Sequence, residues 1–73
     1  MAVFKFRAFN KEGRPIQAEI FVGGTQRGFT KKSSDDWLEV ETQYEDEYEW
    51  YARYDGKTID RGKSKGGKIT ACE

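Results

Sequence analysis

Apolar and polar side chains alternate along most of the chain with a period of two residues. Phe4, Phe6 and Ala8 alternate with Lys5 and Arg7 in the first such segment. A period of two places successive side chains on opposite faces of a β-strand, so that one face is buried and the other is solvated. No window has the 3.6-residue period of a helix. The pattern predicts an all-β chain with strands near 3–9, 16–22, 26–30, 37–43, 48–54, 57–63 and 68–72.

Glycine-containing turns separate the last strands. Asp55-Gly56 is typical of a type I′ hairpin, because both central residues of that turn need a positive φ. Gly66-Gly67 predicts a second hairpin, and the lysines of segment 57–63 between the two turns are typical of an edge strand. About seven short strands predict a small immunoglobulin-like or transthyretin-like antiparallel sandwich, with residues 1–73 forming a single domain.

The inward register supplies the large side chains that one small core needs. A chain of 73 residues buries only about 60% of its unfolded surface, so a single thin core is expected. Aromatic residues make up 15% of the chain, which is enough to build that core although 36% of the residues are charged. The residues expected to point inward are Phe4, Phe6, Ile16, Ala18, Ile20, Val22, Leu38, Val40, Tyr48, Trp50, Tyr54, Ile69 and Ala71.

Charge is balanced overall but unevenly distributed. The formal net charge is zero, yet residues 35–49 contain eight acidic side chains and no basic one. The flanking segments 1–34 and 50–73 are both basic. Cross-strand pairing of opposite charges in a sheet explains this pattern. The alternative is a surface with one acidic and one basic side that steers a partner.

The residue inventory argues against an enzyme. The chain has no His and one Cys, which excludes the usual Cys/His zinc sites and Ser–His–Asp or Cys–His catalysis. Glu39 and Glu41 share the outward face of one strand, where paired carboxylates are solvated rather than enclosed. The acidic segment 35–49 lacks the spacing of a calcium loop, and whether it binds a cation stays open. We expect no catalytic residue, no metal site and no cofactor.

The longest uninterrupted apolar run is Ile20-Phe21-Val22. This is too short for a transmembrane span or the core of a signal peptide, so we expect no membrane contact. Cys72 has no intramolecular partner and is expected to be a free thiol. Together these features favour a reducing, cytoplasmic location.

One stretch resembles a known group of sandwich modules. Residues 12–30, EGRPIQAEIFVGGTQRGFT, are similar to the repeating core of the transthyretin-like, carboxypeptidase regulatory-like and PEGA-type domains, and YEWYARYDGK resembles their aromatic strand and following turn. The resemblance implies a non-catalytic accessory module. One departure is KKSSDDW, which follows Thr30 where those families have a short glycine turn. The matching residues are Gly13, Pro15, Ile16, Ala18, Ile20, Val22, Gly24, Gly28 and Thr30.

A second resemblance is to small basic archaeal DNA-binding barrels, carried by VFKFRAF and YDGKTIDRGKSKGG. Those proteins bind DNA through a strongly positive sheet, since phosphate contacts supply most non-specific affinity. The zero net charge and the acidic central segment disfavour this function here. A small nucleic-acid-binding barrel therefore remains the alternative to a protein-binding module.

Several aromatic residues fall in the outward register. Phe21, Trp37 and Tyr51, together with Phe9, alternate against the predicted core positions. Such rings either cover a sheet surface by packing on neighbouring side chains or form a contact patch. We expect the three rings to lie on neighbouring strands and to contact a protein partner or, as a third possibility, a carbohydrate. Charged residues expected to flank this binding patch and set the charge of the partner are Glu39, Glu41 and Arg53, and Trp37 is the expected principal contact.

Overall fold

The computed structural model describes residues 1–73 as seven β-strands with no helix. The strands form a three-stranded sheet in the order β4-β1-β7 and a four-stranded sheet in the order β3-β2-β5-β6. All paired strands are antiparallel except β1 and β7, which are parallel. The predicted all-β sandwich is thus confirmed. The strands are β1 Ala2–Phe9, β2 Glu19–Val22, β3 Thr25–Phe29, β4 Leu38–Thr42, β5 Tyr48–Tyr54, β6 Lys57–Ser64 and β7 Gly67–Cys72.

The core lies between the two sheets and contains the residues of the inward register. Trp50 from the four-stranded sheet packs edge-on against Phe6 from the three-stranded sheet, with 5.7 Å between ring centroids. Leu38, Tyr48 and Tyr54 are partly buried around its margin, as is Ile69. The predicted inward register is confirmed. The buried hydrophobic residues are Ala2, Phe4, Phe6, Ala8, Ile16, Ala18, Ile20, Val22, Val40, Trp50, Ala52 and Ala71.

Strand β2 is shorter than the pattern predicts, because residues 16–18 divide their backbone hydrogen bonds between Ala8, the Thr30 N–H and the Thr30 side chain and so form no regular ladder. The Ala18 N–H donates to Thr30 Oγ1 at 2.8 Å, and that hydroxyl donates to the Ile16 carbonyl at 2.6 Å. Thr30 is fully buried and satisfies both backbone groups. Ile16 and Ala18 therefore remain in the core although β2 begins at Glu19.

The two predicted hairpin turns have different outcomes. Asp55 has a φ of 53° and Gly56 a φ of 76°, the left-handed values that a type I′ turn needs, and they join the paired strands β5 and β6. The prediction of a hairpin at Gly66-Gly67 was wrong. This turn carries the chain from β6 in one sheet to β7 in the other, where β7 pairs with β1. Ser64 Oγ closes it by donating to the Gly66 carbonyl at 2.7 Å.

Side-chain contacts join the two sheets at both open sides of the sandwich. On one side Arg27 Nη2 donates to the Glu41 carbonyl at 2.6 Å. On the other side the Cys72 N–H donates to Asp60 Oδ2 at 3.1 Å. Strand β6 is an edge strand, as predicted. Cys72 is an exposed free thiol. The chain forms no helix with the length and apolar character needed to cross a bilayer.

Candidate binding surface

The six residues predicted as one patch lie on the two opposite faces of the sandwich. Phe21, Tyr51 and Arg53 belong to the four-stranded sheet. Trp37, Glu39 and Glu41 belong to the other sheet, because β4 pairs with β1 and Trp37 immediately precedes β4. The prediction of a single contiguous patch was therefore wrong. The outward register was right, but a period of two does not reveal which sheet a strand joins.

On the four-stranded sheet, the two outward aromatic rings are cross-strand neighbours. Phe21 on β2 lies opposite Tyr51 on β5, and their rings stack with a centroid distance of 4.4 Å and an interplanar angle of 9°. Both side chains are half-buried. Because each ring covers one face of the other, the pair joins the two central strands of this sheet and leaves the opposite face of each ring available.

A shallow groove of about 800 Å³ lies beside this pair on the β5–β6 hairpin. The register brings its side chains together, since Tyr51 lies opposite Arg61, Arg53 opposite Thr58 and Glu49 opposite Lys63. We name this surface the hairpin groove. Its lining includes the side chains of Glu49, Tyr51, Arg53, Thr58, Arg61 and Lys63.

The hairpin groove is basic. Its single carboxylate, Glu49, is paired with Lys63 at 3.7 Å. Neither Arg53 nor Arg61 has a carboxylate oxygen within 4.0 Å, since the only other ion pair in the molecule joins the N-terminus to Glu45. Two guanidinium groups thus face solvent beside the Tyr51 ring with their charge uncompensated at short range.

The sequence interpretation missed Arg61 and Lys63. Both lie in the weakly alternating strand β6, which has few apolar residues to define its faces. The hairpin at Asp55-Gly56 is only a partial signal, because a type I′ turn fixes the register of the residues next to it but not beyond an irregularity in the ladder. Counting outward from that turn alone brings Tyr51 opposite Asp60, and the irregularity between Ala52 and Arg53 shifts the register by one residue so that Arg61 takes this position.

An exposed aromatic residue extends the same face on its other side. Phe29 on β3 is paired with Glu19 on β2, and 49% of it is exposed. Gln26 occupies the position opposite Phe21. The outer face of the four-stranded sheet thus has a central aromatic pair, an exposed phenyl ring at one edge and a basic groove at the other.

Trp37 has a different environment on the three-stranded sheet. The Arg7 guanidinium carbon lies 4.4 Å from the Trp37 ring centroid, and Lys68 Nζ lies 5.5 Å from it. Trp37 is half-buried, whereas Trp50 is only 8% exposed, so Trp37 is not part of the core. Glu39 and Glu41 are exposed opposite Lys5 and Val3 of β1.

The structure contains neither a cluster of metal-ligating side chains nor a buried polar side chain without a partner. Nowhere do three His, Cys, Asp or Glu side chains come close enough together to hold a metal ion, so the acidic segment 35–49 is not gathered into a cluster. No side-chain nitrogen or oxygen is buried without a hydrogen-bond partner. Comparisons of the chain with protein-family models, with curated proteins and with solved structures found no match.

Proposed function

We propose that this chain is a non-catalytic binding module that contacts a protein partner through the outer face of its four-stranded sheet. The observation that carries the proposal is the hairpin groove beside Tyr51, lined by Arg53 and Arg61. Tyrosine and arginine are among the residues most enriched at the positions that contribute most of the binding energy in protein interfaces, because each combines a large contact area with polar groups.

The charge of the groove selects the chemistry of the partner. Three cations and one carboxylate line it, and the carboxylate is already paired with Lys63. A partner segment with Asp or Glu side chains would supply the missing counter-charges to Arg53 and Arg61, and complementary charge favours both encounter and register. We therefore propose an acidic, extended segment of another protein as the ligand, with its apolar side chains on Tyr51.

The stacked geometry disfavours the carbohydrate alternative. A sugar ring stacks on a broad aromatic face that is open to solvent, whereas stacking at 4.4 Å leaves Phe21 and Tyr51 only one uncovered face each, and both side chains are half-buried. The nucleic-acid alternative meets a different objection. Each phosphate contact needs a cation, and this face offers few cations on a chain with zero net charge.

The finer classification of the fold is part of the same proposal. Two packed sheets of three and four strands support an immunoglobulin-like or transthyretin-like module. The segment of residues 12–30 that resembles those modules supplies the β2–β3 hairpin and the buried Thr30 bridge. Its matching residues all have structural roles, and this supports a shared scaffold rather than a shared ligand.

A titration with a designed peptide tests the proposal. The probe is a peptide with several Glu residues around one central aromatic residue, added to ¹⁵N-labelled protein and followed by backbone amide shifts. We expect saturable shifts at Tyr51, Arg53 and Arg61 with little change on the three-stranded sheet. Arg61→Glu should weaken binding by about tenfold or more, because it reverses one charge of a charge-assisted contact.

The matched controls are a peptide with every Glu replaced by Lys and the variant Lys11→Glu, which reverses a charge in the exposed turn after β1. Neither the Lys peptide nor the Lys11→Glu change should affect the groove signals. Absence of shifts at the groove with the acidic peptide would overturn the proposal. Tighter binding of a single-stranded oligonucleotide at the same residues would replace it with the nucleic-acid alternative.

A further inference from the structure

We propose a second ligand site on the opposite face of the sandwich, where Lys5, Arg7 and Lys68 bind a phosphate monoester or a similar dianionic oxyanion beside the Trp37 ring. We name the three cations together with Trp37 the cation cluster. The site is independent of the hairpin groove, because it lies on the outer face of the three-stranded sheet.

The cation cluster places like charges next to each other. Lys5 on β1 and Lys68 on β7 are direct partners in the parallel ladder, so their side chains leave the same face of the sheet from adjacent positions. Arg7 lies two residues after Lys5 and projects from the same face. Like charges directly opposite each other destabilise a sheet, so this arrangement has a cost in the free protein.

No carboxylate compensates that charge at close range. Glu39 lies opposite Lys5 in the register, yet the charged atoms of the two residues do not come within 4.0 Å. The two ion pairs of the molecule both involve other cations. The uncompensated charge of the cluster is therefore available to an anion from solution.

Arg7 is held in one orientation with donors to spare. Its Nε donates to Thr70 Oγ1 and its Nη1 donates to the Ser34 carbonyl, both at 3.0 Å. The guanidinium also lies over the rings of Trp37 and Phe9, at 4.4 Å and 5.3 Å from their centroids. The guanidinium has five N–H groups. Both N–H groups on Nη2 and one of the two on Nη1 donate to no protein atom. A guanidinium fixed in this way loses little entropy on binding an oxyanion.

The second cation is directed to the same ring. Lys68 Nζ lies 5.5 Å from the Trp37 centroid, so the indole has both Arg7 and Lys68 close to it. Thr70, whose hydroxyl holds Arg7, is exposed. One guanidinium with free N–H groups and two lysine side chains on the same face of the sheet suit a tetrahedral dianion, whose several oxygens can each accept a charge-assisted bond. A monovalent carboxylate would use only part of this set.

The test uses inorganic phosphate as the probe, at constant ionic strength balanced with NaCl. We expect saturable shifts of the Trp37 indole N–H and of the amides of Lys5, Arg7 and Lys68. The variants Lys5→Gln and Lys68→Gln should each weaken phosphate binding by about tenfold, the loss expected for one charge-assisted bond. The matched control is Lys57→Gln, which removes an exposed lysine of β6 on the other sheet and should leave the affinity unchanged.

Further measurements identify the source of the phosphate group and show which results would contradict the proposal. A phosphoserine peptide that binds much more tightly than inorganic phosphate assigns the site to phosphorylated proteins, and equal affinity assigns it to the phosphate group alone. Shifts that do not saturate, or that persist in both lysine variants, mean an adventitious ion only and overturn the proposal. If a single-stranded oligonucleotide bound more tightly than either phosphate probe, the proposal would also be overturned, because the site would then recognise a phosphodiester backbone. Because the groove peptide binds the other sheet, the two proposals can fail separately.

Discussion

The two outer faces of the sandwich use their aromatic residues in opposite ways. On the four-stranded sheet, Phe21 and Tyr51 face each other across two strands and stack ring on ring. On the three-stranded sheet, the ring of Trp37 meets the Arg7 guanidinium instead. The same outward register therefore gives an apolar cross-strand pair in one place and a cation-bearing platform in the other. The difference arises from the neighbour that the topology provides, since no property of the rings themselves requires it.

The faces also differ in how open they are. The hairpin groove is an open depression on the outer face of the β5–β6 hairpin, lined by Tyr51, Arg53, Arg61 and the small side chain of Thr58. On the three-stranded sheet, the loop before β4 is held against the sheet, since Arg7 bonds to the Ser34 carbonyl and stacks on Trp37. An open groove suits an extended segment, whereas a fixed cluster of charges suits a compact anion. We therefore propose a different class of ligand for each face.

The largest expected effect separates the two tryptophans. Trp50→Ala should lower the free energy of unfolding by about 3–5 kcal/mol, because it leaves a cavity against Phe6. Trp37→Ala should cost about 1 kcal/mol or less, since this ring is half-buried and loses mainly its contacts with two cations. Urea unfolding followed by circular dichroism measures both. Equal losses in the two variants would make Trp37 a core residue and remove the contrast between the faces.

The alternation of the sequence predicts that Trp50 lies in the core and Trp37 does not, but it does not predict which outward residues share a face of the sandwich. Alternation fixes which side of its own strand a residue occupies, and Trp37 and Trp50 were correctly separated on that basis. Sheet membership depends on long-range pairing. β7 joins β1 rather than β6, and β4 also joins β1. Nothing local to Trp37 or Lys68 indicates that the two belong to one surface, so the cation cluster could not be predicted.

The next effect tests whether the aromatic pair on the four-stranded sheet acts as a unit. A double-mutant cycle with Phe21→Ala and Tyr51→Ala should give a coupling energy of about 0.5–1.5 kcal/mol, the range for stacked rings beyond their buried area. The matched control is the cycle of Tyr51→Ala with Trp37→Ala. Those residues lie on different sheets, so their effects should add within about 0.5 kcal/mol. If Phe21 and Tyr51 also proved additive, the rings would be independent and each would be free to bind a ligand.

The smallest effect has opposite signs on the two faces. Lys63 is paired with Glu49 at 3.7 Å, so Lys63→Gln should lower the free energy of unfolding by a few tenths of a kcal/mol. Lys68 has Lys5 as its ladder partner, so Lys68→Gln should raise that energy by a similar amount. The gain from relieved repulsion exceeds the loss of the contact with Trp37, because that contact, at 5.5 Å, lies near the outer limit for a cation over a ring.

Salt decides whether these small differences are electrostatic. Urea unfolding at low ionic strength should show both changes, and the two should fade at about 1 M NaCl, where the Debye length falls to about 3 Å. An alternative explanation, in which the variants alter packing, predicts the same change at every salt concentration. If Lys68→Gln instead destabilised the protein at low salt, the cation cluster would not be repulsive in the free protein. A bound dianion would then relieve no repulsion on this face, which would count against the oxyanion site, while the proposal for the hairpin groove would be unaffected.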